Sequence, residues 1–141
     1  MTEKARLFKV LSSSENTLGS FLQSHPVESF RPLAYYDKQL DCIRVEIRDC
    51  SVTEIRLDYV FTILEDNYPE PDQEKYVGFT IKGVRHLFAR LGIPLEGVLR
   101  ITDLLAQIVA KCPQEVMTAA LAQFEPMLRN TELKVDFAEA A

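Results

Sequence analysis

Residues 33–64 carry the clearest pattern in the chain. Ile43, Val45 and Ile47 alternate with Cys42, Arg44, Glu46 and Arg48, and Ile55, Leu57, Tyr59, Phe61 and Ile63 alternate with Glu54, Arg56 and Asp58. A period of two predicts strands with one apolar and one wet face. Asp49, Cys50, Ser51 and Val52 between the runs read as a tight turn, which makes the two runs a hairpin. Charge selects its register. Setting Ile47 against Ile55, Val45 against Leu57 and Ile43 against Tyr59 places Arg48 opposite Glu54, Glu46 opposite Arg56 and Arg44 opposite Asp58, all attractive pairs. A slip of one residue moves the apolar set to the wrong face. The next register along sets Arg48 against Arg56 and Glu46 against Asp58.

A second hairpin precedes the first. Leu33, Ala34, Tyr35 and Tyr36 are expected to pair with the strand from Cys42, with Tyr35 opposite Ile43 and Tyr36 opposite Cys42. Residues 65–75 form a polar, proline-bearing loop, after which Val77, Phe79 and Ile81 resume the alternation. The expected sheet, residues 33–81, is an antiparallel meander of four strands in the order 1-2-3-4.

Beyond Gly83 the period becomes helical. Val84, Leu87, Phe88 and Leu91 form one stripe, with Gly92 as the left-handed residue that ends the helix and Pro94 beyond it. Thr102 is placed to cap a helix opened by Asp103, and Pro113 to begin another that breaks or kinks near Pro126. Ile101 to Val109 is apolar nearly all round, which predicts cover on several sides, within the monomer or in a dimer. Near the N-terminus, Ser12 and Glu15 fit a capping box for a helix over 12–25 that ends at Pro26. Residues 6–11 and 132–137 read equally as short strands or as other local structure. Strands first and helices after imply an α+β fold, a single domain over 1–141, with helices from 83 to 129 packed on the Ile43/Val45/Leu57/Phe61 face.

Composition narrows the function classes. The chain has 141 residues, 47% hydrophobic and 26% charged, which is ordinary globular composition. Sixteen Lys and Arg against 21 Asp and Glu give −5, a poor balance for neutralising nucleic-acid phosphates. Three cysteines without a CxxC spacing read as reduced thiols of a cytoplasmic protein. Neither a signal peptide nor an apolar stretch long enough to span a bilayer is evident.

The run from Tyr36 to Val45, with Tyr36 and Asp37 followed by Asp41 and then the alternating strand, resembles the opening hairpin of a small bacterial family of unknown function. Val77, Gly78, Phe79, Thr80 and Ile81 are similar to that family's later strand, where a glycine precedes an apolar alternation. The resemblance spans residues 34–82. It implies a small sheet and carries no established activity.

Candidate chemistry is sparse. Glu46, Glu54 and Asp58 share a face and are an acid–base option, but an arginine opposite each would hold it ionised. No Cys–His pair has zinc-ligand spacing and no phosphate-loop motif occurs; neither a metal nor a cofactor is expected. A Cys–His nucleophile would need tertiary adjacency. Lys82, Arg85, His86 and Arg90 lie opposite the apolar stripe and form a candidate anion- or partner-binding face, or simply a solvated one. The sequence thus favours a non-enzymatic interaction or regulatory module that can self-associate, with an unidentified protein or a second copy as partner. The alternative is a small-molecule-binding protein or enzyme with a pocket between sheet and helices, to which Tyr35, Tyr59 and Tyr76 contribute hydroxyls.

Overall fold

In a computed structural model, described for residues 30–111 and 115–139, the second alternating run is not one strand. It is split into β3 (Val52–Arg56) and β4 (Phe61–Asp66), which pair with each other: Ile55 faces Ile63 and Arg56 faces Thr62. Asp58 makes the turn. Its Oδ1 accepts hydrogen bonds from the N–H groups of Val60 (2.8 Å) and Phe61 (2.7 Å). Aspartate competes with a strand ladder in this way, by satisfying nearby backbone itself. Tyr59, expected opposite Ile43, sits in the turn and is 87% exposed.

With β1 (Leu33–Asp37), β2 (Cys42–Glu46) and β5 (Tyr76–Lys82), the sheet is antiparallel, five-stranded and ordered β1-β2-β5-β4-β3. The expected four-strand meander is therefore corrected in both count and order. β5 stands beside β2, with Val45 facing Phe79 and Ile43 facing Ile81, so β2 to β5 form a Greek key. The reason lies in the strands themselves. β5 is buried without interruption from Val77 to Ile81, whereas β3 exposes Thr53, Glu54 and Arg56. The sheet centre goes to the strand that accepts neighbours on both sides.

Residues 47–51 cross from β2 to β3 over the ends of β5 and β4. Arg48 fastens this crossing: its guanidinium pairs with the buried Asp66 and donates to the Glu74 carbonyl at 2.9 Å. The Asn67 N–H donates to the Ser51 carbonyl at 2.9 Å on the same side. The expected ladder of Arg48–Glu54, Glu46–Arg56 and Arg44–Asp58 is replaced accordingly. Arg44 bonds Glu46 (2.6 Å) and Glu54 (3.1 Å), and Arg56 donates to the Asp58 carbonyl (3.2 Å).

β1 and β2 pair one residue away from the expected register, with Tyr36 facing Ile43 and Tyr35 facing Arg44. The turn absorbs the extra residue at Asp41, in the left-handed region at φ 52°. This register buries Tyr36 in the core, where its hydroxyl donates to Asp41 Oδ1 at 2.6 Å.

The core lies between the sheet and three helices. α1 (Val84–Leu91) buries all four residues of its predicted stripe and ends at Gly92 (φ 71°). The Ile93 N–H reaching Phe88 O and the Gly92 N–H reaching Ala89 O complete the predicted left-handed cap. α2 (Ile101–Lys111) begins before Thr102, so that residue is not its cap; the Ile101 N–H instead donates to Leu133 O at 2.9 Å. It buries Ile101, Leu104, Leu105 and Ile108 and leaves Val109 exposed, so it is one-sided rather than apolar all round. α3 (Glu115–Leu128) runs on through Pro126 and ends two residues later, unbroken at the proline. Phe79 of β5 stacks on Phe61 (5.3 Å) and meets Phe124 of α3 (5.0 Å). Ile43, Val45 and Phe61 are fully buried on the face expected to carry the helices, with Leu57 half-buried beside them. Lys134–Asp136 is a strand, β7, paired with β6 (Val98–Arg100), a strand the periodicity did not reveal. The described residues from Arg31 onward form one compact unit. The expected helix over 12–25, the ambiguous segment 6–11 and the helix start at Pro113 lie outside the described residues.

Two expectations follow. A Cβ at residue 78 would lie 2.2 Å from the Val45 carbonyl oxygen, so Gly78→Ala forces β2 and β5 apart. The expected loss is about 1–3 kcal/mol, the range for overpacking, read as a lower urea midpoint. Second, the hydrogen bond from Arg48, joined by one from the Tyr68 N–H, holds the Asp66 carboxyl below the usual range. A depressed folded-state pKa contributes stability that is present above the unfolded value and is lost as pH falls through the folded one. Urea midpoints are therefore expected to drop below about pH 4, and Asp66→Asn to flatten that drop while lowering stability at neutral pH.

Candidate binding site on the open sheet face

The face of the sheet turned away from the helices carries the polar half of every alternation. Tyr35, Arg44, Thr80 and Thr62 form one row across β1, β2, β5 and β4, and Asp37, Cys42 and Lys82 form the next. These rows enclose a cavity of about 310 Å³ lined by Tyr35, Cys42, Arg44, Thr80, Lys82 and Glu54, with Asp37 and Leu40 at its rim. Arg44 and Glu54 bond across two intervening strands, so their contact arches over β5 and β4. A shift in the ladder at Leu64 and Glu65 leaves Val77 as an extra residue in β5, a bulge that places its buried side chain beside Leu64 rather than in the helix-facing core.

The cavity floor is chemically unusual. Thr80 is 5% exposed, yet its Oγ1 has no hydrogen-bond partner among the described residues, and the same holds for Thr62 directly opposite it. A buried hydroxyl left unpaired costs about 1–3 kcal/mol. The other polar groups are donors or fixed charges. Burial pushes the Tyr35 phenol up, and burial together with the Asp37 charge pushes the Cys42 thiol up. Both therefore keep their protons at neutral pH. Burial and Asp66 likewise raise the Cys50 thiol, so neither thiol has the depressed pKa that marks a reactive nucleophile. Glu46 and Glu54 are ion-paired to Arg44, and Asp58 is spent on its turn.

The sequence-predicted basic face is only partly one site. Arg85, His86 and Arg90 lie on the exposed side of α1, but Lys82 belongs to β5 and lines the open-face cavity instead. Arg85 is already engaged, its Nε 3.9 Å from Asp41 and its NH2 donating to the Lys38 carbonyl at 3.4 Å. It borders a shallow hollow of about 180 Å³ with Tyr36 and Lys38. The three tyrosines also separate. Tyr35 lines the open-face cavity, Tyr59 is exposed and Tyr76 packs against the core. At the sheet–helix interface, where the alternative reading places a pocket, Phe61, Phe79, Phe88 and Phe124 are fully buried. Among the described residues, no group of three His, Cys, Asp or Glu is placed to hold a metal ion, and no helix is long and apolar enough to cross a membrane.

Sequence reasoning missed two roles. Thr80 sat unremarked in the apolar alternation; a hydroxyl at a central-strand position was the available signal. In the sequence Asp41 stands only as the residue before the alternating strand, yet it caps α1 from another element. Its carbonyl accepts from the Val84 N–H (3.1 Å) and its carboxylate from the Arg85 N–H (3.1 Å), while the helix's own N-cap, Gly83, offers no side chain. Asp41→Gly preserves the left-handed backbone and removes the carboxylate. It is expected to cost about 0.5–2 kcal/mol, the usual worth of an N-cap, measured by chemical denaturation.

Comparison with known proteins places the chain beside no relative: no family model, no curated protein and no solved structure matches it.

Proposed function

We propose that the protein is a non-enzymatic binding module whose ligand, a small amino-acid-like zwitterion, occupies the open-face cavity. The observation that carries this reading is Thr80, which lines that cavity and whose buried hydroxyl has no partner among the described residues. An apolar residue would hold the strand at lower cost, so a retained hydroxyl points to a partner that arrives from outside. The charges favour a ligand of mixed sign. Lys82 contributes positive charge and Asp37 negative, while Arg44 and Glu54 offset each other as an ion pair. A carboxylate fits beside Lys82 and Thr80, and an ammonium beside the acidic rim. The volume is at the small end for ligand sites. Raised thiols and arginine-paired carboxylates support binding rather than catalysis.

Thermal-shift titration tests it, using the common amino acids one at a time, with acetate and methylammonium as the separated halves. At a hundredfold excess over Kd a ligand stabilises the folded state by about 2.7 kcal/mol, a shift of several degrees. The expected outcome is stabilisation by at least one amino acid and weaker or no effect from either half. Thr80→Val should match or exceed the unliganded stability and lose the shift. No shift from any probe, or a shift that survives Thr80→Val, sinks the proposal.

A further inference from the structure

We infer that two copies of the chain join through β3, antiparallel about a two-fold axis at Ile55, to extend each five-stranded sheet into a ten-stranded one. β3 is the outer strand of the sheet, and among the described residues no strand pairs with its free side. Val52–Arg56 contains no Pro, Lys or Gly, and three of its five residues are β-branched.

Backbone direction restricts how two such edges can meet. The Ser51 carbonyl accepts from the Asn67 N–H, and the Leu57 N–H donates to the Phe61 carbonyl. Hydrogen bonding alternates along an antiparallel strand. Residues 51, 53, 55 and 57 therefore spend their backbone groups on β4, and Val52, Glu54 and Arg56 direct theirs outward. Two copies can pair only with these outward residues opposite one another.

Charge then chooses among the registers. Placing Glu54 opposite Glu54 sets like charges together. Placing Arg56 opposite Arg56 does the same and adds Glu54 against Asp58. The register between them puts Ile55 against Ile55 and gives two symmetric Glu54–Arg56 pairs on the open face, as a two-fold interface requires. Both side chains have capacity left. Glu54 uses one oxygen on Arg44 and its side chain is 52% exposed. Arg56 donates through Nε to Asp58 and lies 5.2 Å over the Tyr59 ring, with no carboxylate partner in its own chain among the described residues. On the other face, half-buried Ile55 gains an apolar neighbour.

Sedimentation equilibrium of the full chain reads the result directly, with circular dichroism melts to show that each variant is folded. The wild type is expected at twice the 16.1 kDa chain mass. Glu54→Arg and Arg56→Glu each make the paired positions like-charged, and each should weaken dimerisation by about tenfold or more. The double variant carrying both changes should dimerise again. Mixing the two single variants should give a heterodimer, because one then presents only arginine and the other only glutamate. A monomeric wild type, a dimer indifferent to both single changes, or folded single variants that fail to form a heterodimer would each overturn the inference. Thr80→Val lies off this edge and should dimerise normally, so failure of ligand binding and failure of pairing are read separately.

Discussion

At Gly78 the β5 backbone comes so close to the Val45 carbonyl that a single methyl group has no place there. That approach lets β5 lie between β2 and β4, and the rest of the sheet follows from it. β2 is turned away from β3, residues 47–51 must cross two strand ends, and Arg48 is needed to hold the crossing against Asp66 and the Glu74 carbonyl. The same strand gives both layers their character. Phe79 and Ile81 face the helices, while Thr80, Lys82 and the bulged Val77 face the other way.

The open face differs from the core in kind. The helix side is sealed by stacked phenylalanines, and one buried hydroxyl there, that of Thr118 on α3, has no hydrogen-bond partner among the described residues. The open side holds two buried threonine hydroxyls that have no partner among the described residues, in one row with an arginine clamped by two glutamates. Interiors normally remove such hydroxyls or pair them. Thr80 differs from the other two in lining a cavity, which is why the proposed binding site is placed on the open face.

Much of the local structure was legible in residues 33–91. The strand β5, the α1 stripe and its Gly92 terminus, and the face of the sheet that takes the helices all follow from periodicity. The charge-based register failed for a specific reason. Arg44 does pair with Glu46 and Glu54, but complementarity between nearby residues does not say which strands are neighbours, and Glu54 reaches Arg44 across two strands rather than beside it. The turn at Asp58 was hidden because its neighbours continue the alternation. Tyr36 rather than Tyr35 entered the core because a left-handed Asp41 added one residue to the turn. The basic residues were grouped by helical spacing, which cannot register that Lys82 ends a strand and points to the opposite layer.

Sequence by itself determined the class of the fold, the type of most elements and the identity of the apolar face, because these rest on side-chain period and on residues such as Gly92 whose effect is local. Tertiary structure decided which strands are neighbours, where Arg48 and Asp41 act, and that Thr80, Cys42, Lys82 and Arg44 share one cavity. Those outcomes depend on competition between distant segments for the same central position, and burial on both faces settled that competition in favour of β5.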